Sequence, residues 1–409
     1  MRILLISSNS SPRGGGEYFL VYLSRALKFF NKNNLLGLYS NKSYMDQLVK
    51  RINKNCSKIY RIKYKELNLR KLRFLSSIFD LHQIYKIFKV LIKINPNIII
   101  INQQYDEDAL DILFSAILYK IFIKNSYLKI ACIMHMPRVK NKTLNQPFGL
   151  MRYFLLLIIY GLLKPNFLLT STECLEEFRS YYFFNKKNAS LIKSPLPNIK
   201  KNISKKYSLE IINNSKIDEL SKEKISNWNK RKKQIILLGC QMKAQKNPIF
   251  ALSSWIHLRR FYKNPACLLI IGDGPLKKEI SIKISTFNKE EKDDLLQINW
   301  VNDLSRYILI SDLILMPSSF EGMNLTLLEC ICYKKNIIAN KFEGINEIIK
   351  FADNCTQLDN LNKEIWSKSM HEKLTIIKKT RQNNNLNKEF ISNFSDFECV
   401  QSIKKSLAL

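Results

Sequence analysis

One stretch, residues 312–347, constrains the fold more than any other. It reads D-L-I-L-M-P-S-S-F-E-G-M-N-L-T-L-L-E-C-I-C-Y-K-K-N-I-I-A-N-K-F-E-G-I-N-E. Leu313–Met316 is a short apolar run, long enough for a buried strand, and Pro317, Ser318 and Ser319 end it. Glu321 and Gly322 fall in the turn that follows. Asn324 is placed to cap a helix, with Leu325, Leu328, Ile331 and Cys332 at helical spacing behind it. Residues 336–339 read as the next strand. The pattern is a strand-loop-helix-strand unit of a parallel sheet.

The loop and first helical turn carry chemistry. A helix N-terminus beside a glycine is an anion site: its unbonded N–H groups point outward, and Gly322 lets a phosphate approach the backbone. Glu321 precedes the helix and Glu329 lies on it, eight residues later. At about 1.5 Å per helical residue the two carboxylates stand roughly 10–12 Å apart. Carboxylates flanking one glycosidic bond are usually about 5–9.5 Å apart. The wider spacing suits a diphosphate-linked molecule with one carboxylate at each end.

A length of 409 residues allows two or three domains with sizeable cores. A hydrophobic fraction of 46% argues against disorder. The net charge is +32, and residues 1–200 hold 32 Lys and Arg against 11 Asp and Glu, so the N-terminal half is the more basic. Lys63, Lys65, Arg70, Lys71 and Arg73 cluster beside Phe74 and Leu75, which suits an anionic membrane surface as well as a merely solvated face. No nucleic-acid-binding motif accompanies the charge, so nucleic acid is not an expected partner. The nine cysteines form no C-x-x-C pair and no metal-ligand spacing, which suits a reducing compartment. Residues 3–6 are too short an apolar run for a signal peptide. Residues 153–163 are too short to span a bilayer; they read as a buried helix, with an in-plane membrane contact as the alternative.

Taken in order, residues 2–7 read as a first strand, and Gly14, Gly15 and Gly16 open a loop into a helix whose face is Phe19, Leu20, Leu23, Ala26 and Leu27. The glycines offer a phosphate approach but not the G-x-G-x-x-G dinucleotide fingerprint. Residues 97–102 form a buried strand, followed by the acidic Asp106-Glu107-Asp108 cluster, which reads as helix-start charge rather than a metal site. Residues 129–134 form another strand, ending at His135-Met136-Pro137-Arg138. A histidine just past a strand's C-terminal end stands where open α/β sheets bind ligands, and Arg138 is positioned for a phosphate or for the surface. Residues 199–233 are polar and Lys- and Asn-rich, reading as a connection with an insertion. Residues 234–238 begin a second domain, with G-C-Q-M-K-A-Q-K-N-P after them, and residues 266–271 lead into Gly272-Asp273-Gly274-Pro275.

P-S-S-F-E-G-M-N-L-T-L-L-E-C, with seven residues between Glu321 and Glu329, resembles the signature of retaining glycosyltransferases of family four, the group 1 glycosyl transferases. Other landmarks follow in order over residues 2–350. P-R-G-G-G-E resembles the family's P-x-x-G-G-x-E opening, and Gly272–Pro275 its G-x-G-P turn. The resemblance implies a GT-B fold, an α/β architecture of two Rossmann-like domains with parallel sheets facing an interdomain cleft. It implies a nucleotide-sugar donor and no resident cofactor or metal. Glu321 would support the transferred sugar and His135 would contact it. The donor would be bound by Gly15, Gly16, Lys246, Gly272, Gly274, Gly322, Met323, Asn324 and Glu329, the last holding ribose hydroxyls. Two departures stand out. Cys240 or Gln241 occupies the place of the family's phosphate-binding arginine, for which Lys243 is a shifted substitute lacking the guanidinium fork. Glu343 stands where the family has the first glycine of G-G-x-x-E, and residues 333–335 lack the usual glycine after the signature helix.

The expected organisation is an acceptor-binding domain over 1–198, a polar connection over 199–233, a nucleotide-sugar domain over 234–390, and a final helix over 391–409 crossing back to the first domain. The resemblance implies retaining, metal-independent transfer of a hexose from a UDP-, GDP- or ADP-linked donor to a hydroxyl. A lipid-linked saccharide, met on the cytoplasmic face of the membrane during polysaccharide synthesis, is the expected acceptor. A catalytically silent binding protein and a nucleotide-sugar epimerase of the same fold remain alternatives.

Overall fold

A computed structural model describes residues 2–7, 15–30, 34–39, 51–62, 80–123, 127–136, 149–197, 205–214, 217–377 and 388–409. It divides into two compact units, one made of residues 1–196 and 389–409, the other of residues 197–388.

In the first unit the described elements run β1 (Ile3–Ser7), α1 (Gly15–Phe30), β2 (Asn34–Tyr39), β3 (Lys58–Ile62), α2 (Leu81–Ile94), β4 (Ile98–Gln103), α3 (Leu110–Phe122), β5 (Lys129–Met134), α4 (Gly149–Leu163), β6 (Asn166–Leu169), α5 (Thr172–Tyr181) and β7 (Ala189–Leu191). Seven parallel strands form one sheet in the order β3-β2-β1-β4-β5-β6-β7. Strands β1 and β4 are buried along their whole length, because their unbroken apolar runs face helices on both sides. Register sets the C-terminal edge: Ser7 lies beside Asn102, and Asn102 beside Ile133. Connections leave β1 in opposite directions in the sheet, so the C-terminal ends of β1 and β4 flank a topological switch point.

The second unit runs α6 (Lys205–Asn213), α7 (Glu219–Lys230), β8 (Ile235–Gly239), α8 (Pro248–Tyr262), β9 (Cys267–Ile271), α9 (Lys277–Ser285), α10 (Lys289–Asp293), β10 (Leu295–Ile298), α11 (Ser305–Ile310), β11 (Leu313–Met316), α12 (Leu325–Cys332), β12 (Asn336–Asn340), α13 (Ile345–Ile349), β13 (Cys355–Leu358) and α14 (Lys363–Ile377). Its six parallel strands are ordered β10-β9-β8-β11-β12-β13, with the switch point between β8 and β11. The chain then returns to the first unit through α15 (Lys388–Asn393) and α16 (Asp396–Leu407). Helix α16 packs on α1, and Asp396 takes a two-pronged ion pair from Arg25 at 2.5 and 2.7 Å.

Several expectations from sequence need correction. Residues 199–233 are not merely a polar connection: α6 and α7 are helices of the second unit. Asp218 caps α7 by accepting from the Ser221 amide, and Ile225 and Trp228, three apart, are buried. The apolar minority in a polar segment was enough to seat a helix. Helix α4 is not a buried helix either, since only Gly149, Leu156 and Tyr160 are buried. The acidic cluster at 106–108 does not start a helix, because α3 begins at Leu110. Asp106 instead accepts from the Tyr182 hydroxyl at 2.7 Å, Glu107 pairs with Arg152, and Asp108 accepts from the Tyr105 amide. All nine cysteines are free, and Cys330 and Cys332 are buried as expected of small core residues.

Candidate functional site

In the second unit, the residues singled out gather at the C-terminal ends of β8, β9 and β11. Asn324 caps α12 by accepting from the Leu327 amide at 3.1 Å. The inward face of α12 is Leu327, Leu328, Cys330, Ile331 and Cys332; Leu325, expected inside, is half-buried. The amides of Gly322, Met323, Asn324, Leu325 and Thr326 donate to nothing among the described residues. They form the open donor end of a helix, where partial positive charge accumulates.

Lys246 ends the short turn Ala244–Lys246 and its Nζ forms an ion pair with Glu321 Oε1. Glu321 is buried and Lys246 is mostly so. Loop 317–321, which carries Glu321, is held from two sides. Gln245 Nε2 donates to the Phe320 carbonyl (2.7 Å), and Asn247 Nδ2 donates to the Pro317 carbonyl (2.8 Å) and Ser319 Oγ (2.7 Å). From β12, Asn340 Nδ2 donates to the Ser318 carbonyl at 3.0 Å. Glu343 adds a second carboxylate, accepting from the Glu321 amide at 3.3 Å. The substitution of Glu for Gly at 343 therefore contributes a contact to the site rather than a change confined to its own loop. Glu329 lies half-buried on α12, just over one turn into the helix and eight residues after Glu321.

Gly272 and Gly274 hold the neighbouring loop close. A Cβ on Gly272 would meet the Cys240 carbonyl oxygen at 1.9 Å, and one on Gly274 the Met242 carbonyl oxygen at 2.6 Å. Both glycines have φ near +152°, which side chains rarely adopt. The Met242 amide donates to the Asp273 carbonyl and the Leu276 amide to the Met242 carbonyl, each at 2.9 Å. Burial pushes the Cys240 thiol up to about 12, against the opposing pull of Lys246. Thus Cys240, in the place of an arginine, supplies no charge. Lys243 stands three residues before Lys246, at the head of the same turn.

In the first unit, Gly16 and His135 come together and Gly15 does not join them. A Cβ on Gly16 would lie 3.3 Å from His135 Cδ2, whereas one on Gly15 would meet nothing within 4 Å among the described residues. His135 is buried just past β5, with its Nε2 2.8 Å from Asn102 Oδ1 and Phe19 edge-on to its ring at 4.9 Å. Burial pulls its pKa down to about 4. Arg138 lies outside the described residues. Sequence reasoning missed Asn102, Gln245, Asn247, Asn340 and Glu343. The signal it lacked was register, which sets Asn102 beside Ser7 and Ile133, and contact across loops far apart in sequence.

Residues 218–389 match the family model described as Glycosyl transferases group 1. The chain is 28% identical over 170 residues to a UDP-Gal:alpha-D-GlcNAc-diphosphoundecaprenol alpha-1,3-galactosyltransferase of Escherichia coli, covering 37% of this chain and 43% of that protein. It is 29% identical over 143 residues to the amylovoran biosynthesis glycosyltransferase AmsD of Erwinia amylovora, covering 35% of this chain and 39% of that one. The chain thus spans about two-fifths of the length of the curated relatives it matches. Its whole fold is similar to that of Anabaena Alr3699/HepE, solved in complex with UDP, with a TM-score of 0.65, 13% identity and full coverage of both chains. The chain has the GT-B fold, and its residues 218–389 match the family model of the glycosyl transferases group 1.

Proposed function

We propose that this protein is a glycosyltransferase that moves a hexose from a nucleotide-sugar to a hydroxyl acceptor with retention of configuration. One observation carries the reading: the Lys246–Glu321 ion pair stands beside five amides, from Gly322 to Thr326, that have no acceptor among the described residues. A diphosphate placed there would take hydrogen bonds from those amides and charge from Lys246 Nζ, which stabilises a leaving nucleoside diphosphate as its bond to the sugar breaks. Glu321, ion-paired and held by its loop, would face the sugar as positive charge develops at its anomeric carbon. Glu329, on α12, would accept from ribose hydroxyls. Charge neutralisation by lysine and amides is the proposed route, without a metal. Glycines 272 and 274 would shape the nucleotide pocket by keeping loop 240–242 close.

The donor base proposed is uracil and the acceptor a lipid-linked saccharide used in polysaccharide synthesis. UDP in the solved relative and the diphosphoundecaprenol-linked substrate named for the Escherichia coli relative support both choices. The test is to incubate the protein with a panel of UDP-, GDP- and ADP-sugars and to follow nucleoside diphosphate release with and without a membrane extract. Release from UDP-sugars that needs the extract is the expected result. No release from any donor overturns the reading, and a changed sugar formed without acceptor replaces it with an epimerase.

A further inference from the structure

Helices α2, α3 and α4 cover one face of the first unit's sheet and share one core, to which α2 gives Ile87 and Leu91, α3 gives Tyr119 and α4 gives Tyr160. Their outward faces are apolar and cationic. On α4, Leu150, Phe154, Ile158 and Leu162 recur at every fourth position and all are exposed, Leu162 by 76%. This stripe is about 18 Å long at 1.5 Å per residue. Phe122, at the end of α3, is 72% exposed, and its ring lies against Phe88 of α2. Helix α2 exposes Lys86, Lys89 and Lys93 between its apolar positions. The three helices contain a single carboxylate, Asp111, and it is buried. The one arginine, Arg152, is ion-paired with Glu107.

A solvated helix face ordinarily interleaves charges of both signs and leaves few large apolar groups outside. We propose that this face docks in the plane of an anionic lipid bilayer, with the α4 stripe and Phe122 entering the acyl boundary and the α2 lysines meeting headgroup phosphates. Charge decides between occupants. A second copy of the chain would bring the same lysines, which have no carboxylate partner among the described residues, against themselves, and they repel. An anionic bilayer offers apolar depth and negative charge over a broad area, and each lysine near such a surface strengthens binding roughly fivefold. No described helix is long and apolar enough to cross a membrane, so contact is with one leaflet. The inference extends the proposed reaction by naming where the chain would meet its lipid-linked acceptor, yet vesicle binding is measured without any donor, so each can fail alone.

The experiment is flotation of the full chain with vesicles of phosphatidylcholine, with and without phosphatidylglycerol. Wild type is expected to float with the anionic vesicles and to be released by salt. Phe154→Asp/Ile158→Asp/Leu162→Asp should bind at least about tenfold more weakly with an unchanged circular dichroism spectrum. Lys86→Glu/Lys89→Glu/Lys93→Glu, which leaves the apolar stripe intact, should lose the preference for anionic vesicles. Wild-type flotation by both variants overturns the proposal, as does a chain that binds neither vesicle. A dimer that both sets of substitutions dissociate, without vesicle binding, assigns the face to a second copy instead.

Discussion

His135 and Asn102 share a hydrogen bond whose direction is fixed by the residues behind Asn102. Asn102 Nδ2 lies 3.3 Å from Ser7 Oγ and 3.3 Å from the Gly16 carbonyl oxygen. The carbonyl can only accept, so the amide nitrogen faces Gly16 and the amide oxygen faces His135 Nε2. Nε2 must then carry the proton. With burial holding the ring neutral, Nδ1 is left as an acceptor, and nothing among the described residues donates to it. A sugar hydroxyl is the kind of group that would.

Asn102→Asp tests this arrangement. A carboxylate beside Nε2 favours the imidazolium and removes the donor to Gly16. The His135 titration, followed by NMR, should move up from about 4 toward or above the ordinary histidine range. Once both ring nitrogens carry protons, the acceptor is lost, and turnover should fall about tenfold or more near neutral pH. A His135 titration that stays low in the variant would show that Asn102 does not set the ring's protonation.

Glu321 and Glu329 should fail differently. Glu321→Ala removes the carboxylate held against Lys246 and is expected to lower kcat about a hundredfold or more with donor affinity less affected. Glu329→Ala should raise the donor Kd about tenfold, the cost of losing charged hydrogen bonds to hydroxyls, while kcat at saturation stays within a few-fold. Steady-state kinetics alongside calorimetric titration with UDP separates the two. Equal loss of kcat in both variants would remove the division of labour.

Asp111 gives the first unit a pH dependence of its own. Burial raises its pKa from 3.8 to about 7, opposed by the Ile112 amide and reinforced by Asp80. Between those values the folded protein keeps the proton and the unfolded chain has lost it. Stability is therefore fully present below pH 3.8 and declines as pH rises toward 7, by an upper bound of about 4 kcal/mol. Asp111→Asn is expected to melt with wild type near pH 4 and above it at pH 8. Parallel melting curves at both pH values would refute the buried, protonated carboxyl.

The central strands were legible because short apolar runs such as 98–101 or 267–271 have the length and composition of a strand buried on both faces. The Lys246 and Glu321 positions were legible from local motif, and the Asn324 cap from its place before the apolar spacing. The ion pair joining the first two was not, because it crosses 75 positions of sequence. The outward face of α4 misled for a physical reason: an all-apolar helix satisfies the pattern of a buried one, and only the structure reveals that Leu150, Phe154, Ile158 and Leu162 are exposed. The missing glycine after the signature helix is explained by Lys334, which itself takes the left-handed conformation at φ 53°. Its neighbour Lys335 then donates through Nζ to the Leu309 and Ser311 carbonyls at 2.8 and 2.9 Å.

The glycines should separate into those that carry the fold and those that do not. Gly272→Ala puts a methyl group 1.9 Å from the Cys240 carbonyl oxygen at a backbone angle that side chains avoid, so loops 240–242 and 272–274 must part. The expected cost is about 3 kcal/mol, read as a fall of roughly 6–12 °C in the melting of the second unit. Gly16→Ala meets only the mobile end of Gln104 at 2.8 Å and the edge of His135 at 3.3 Å, so its effect should fall on turnover and on the His135 titration more than on Tm. Gly15→Ala meets nothing within 4 Å among the described residues and should melt within about 2 °C of wild type. If Gly15→Ala nonetheless abolishes donor binding while Tm holds, the requirement at 15 is for close approach of ligand to backbone, and the glycine serves the site rather than the fold.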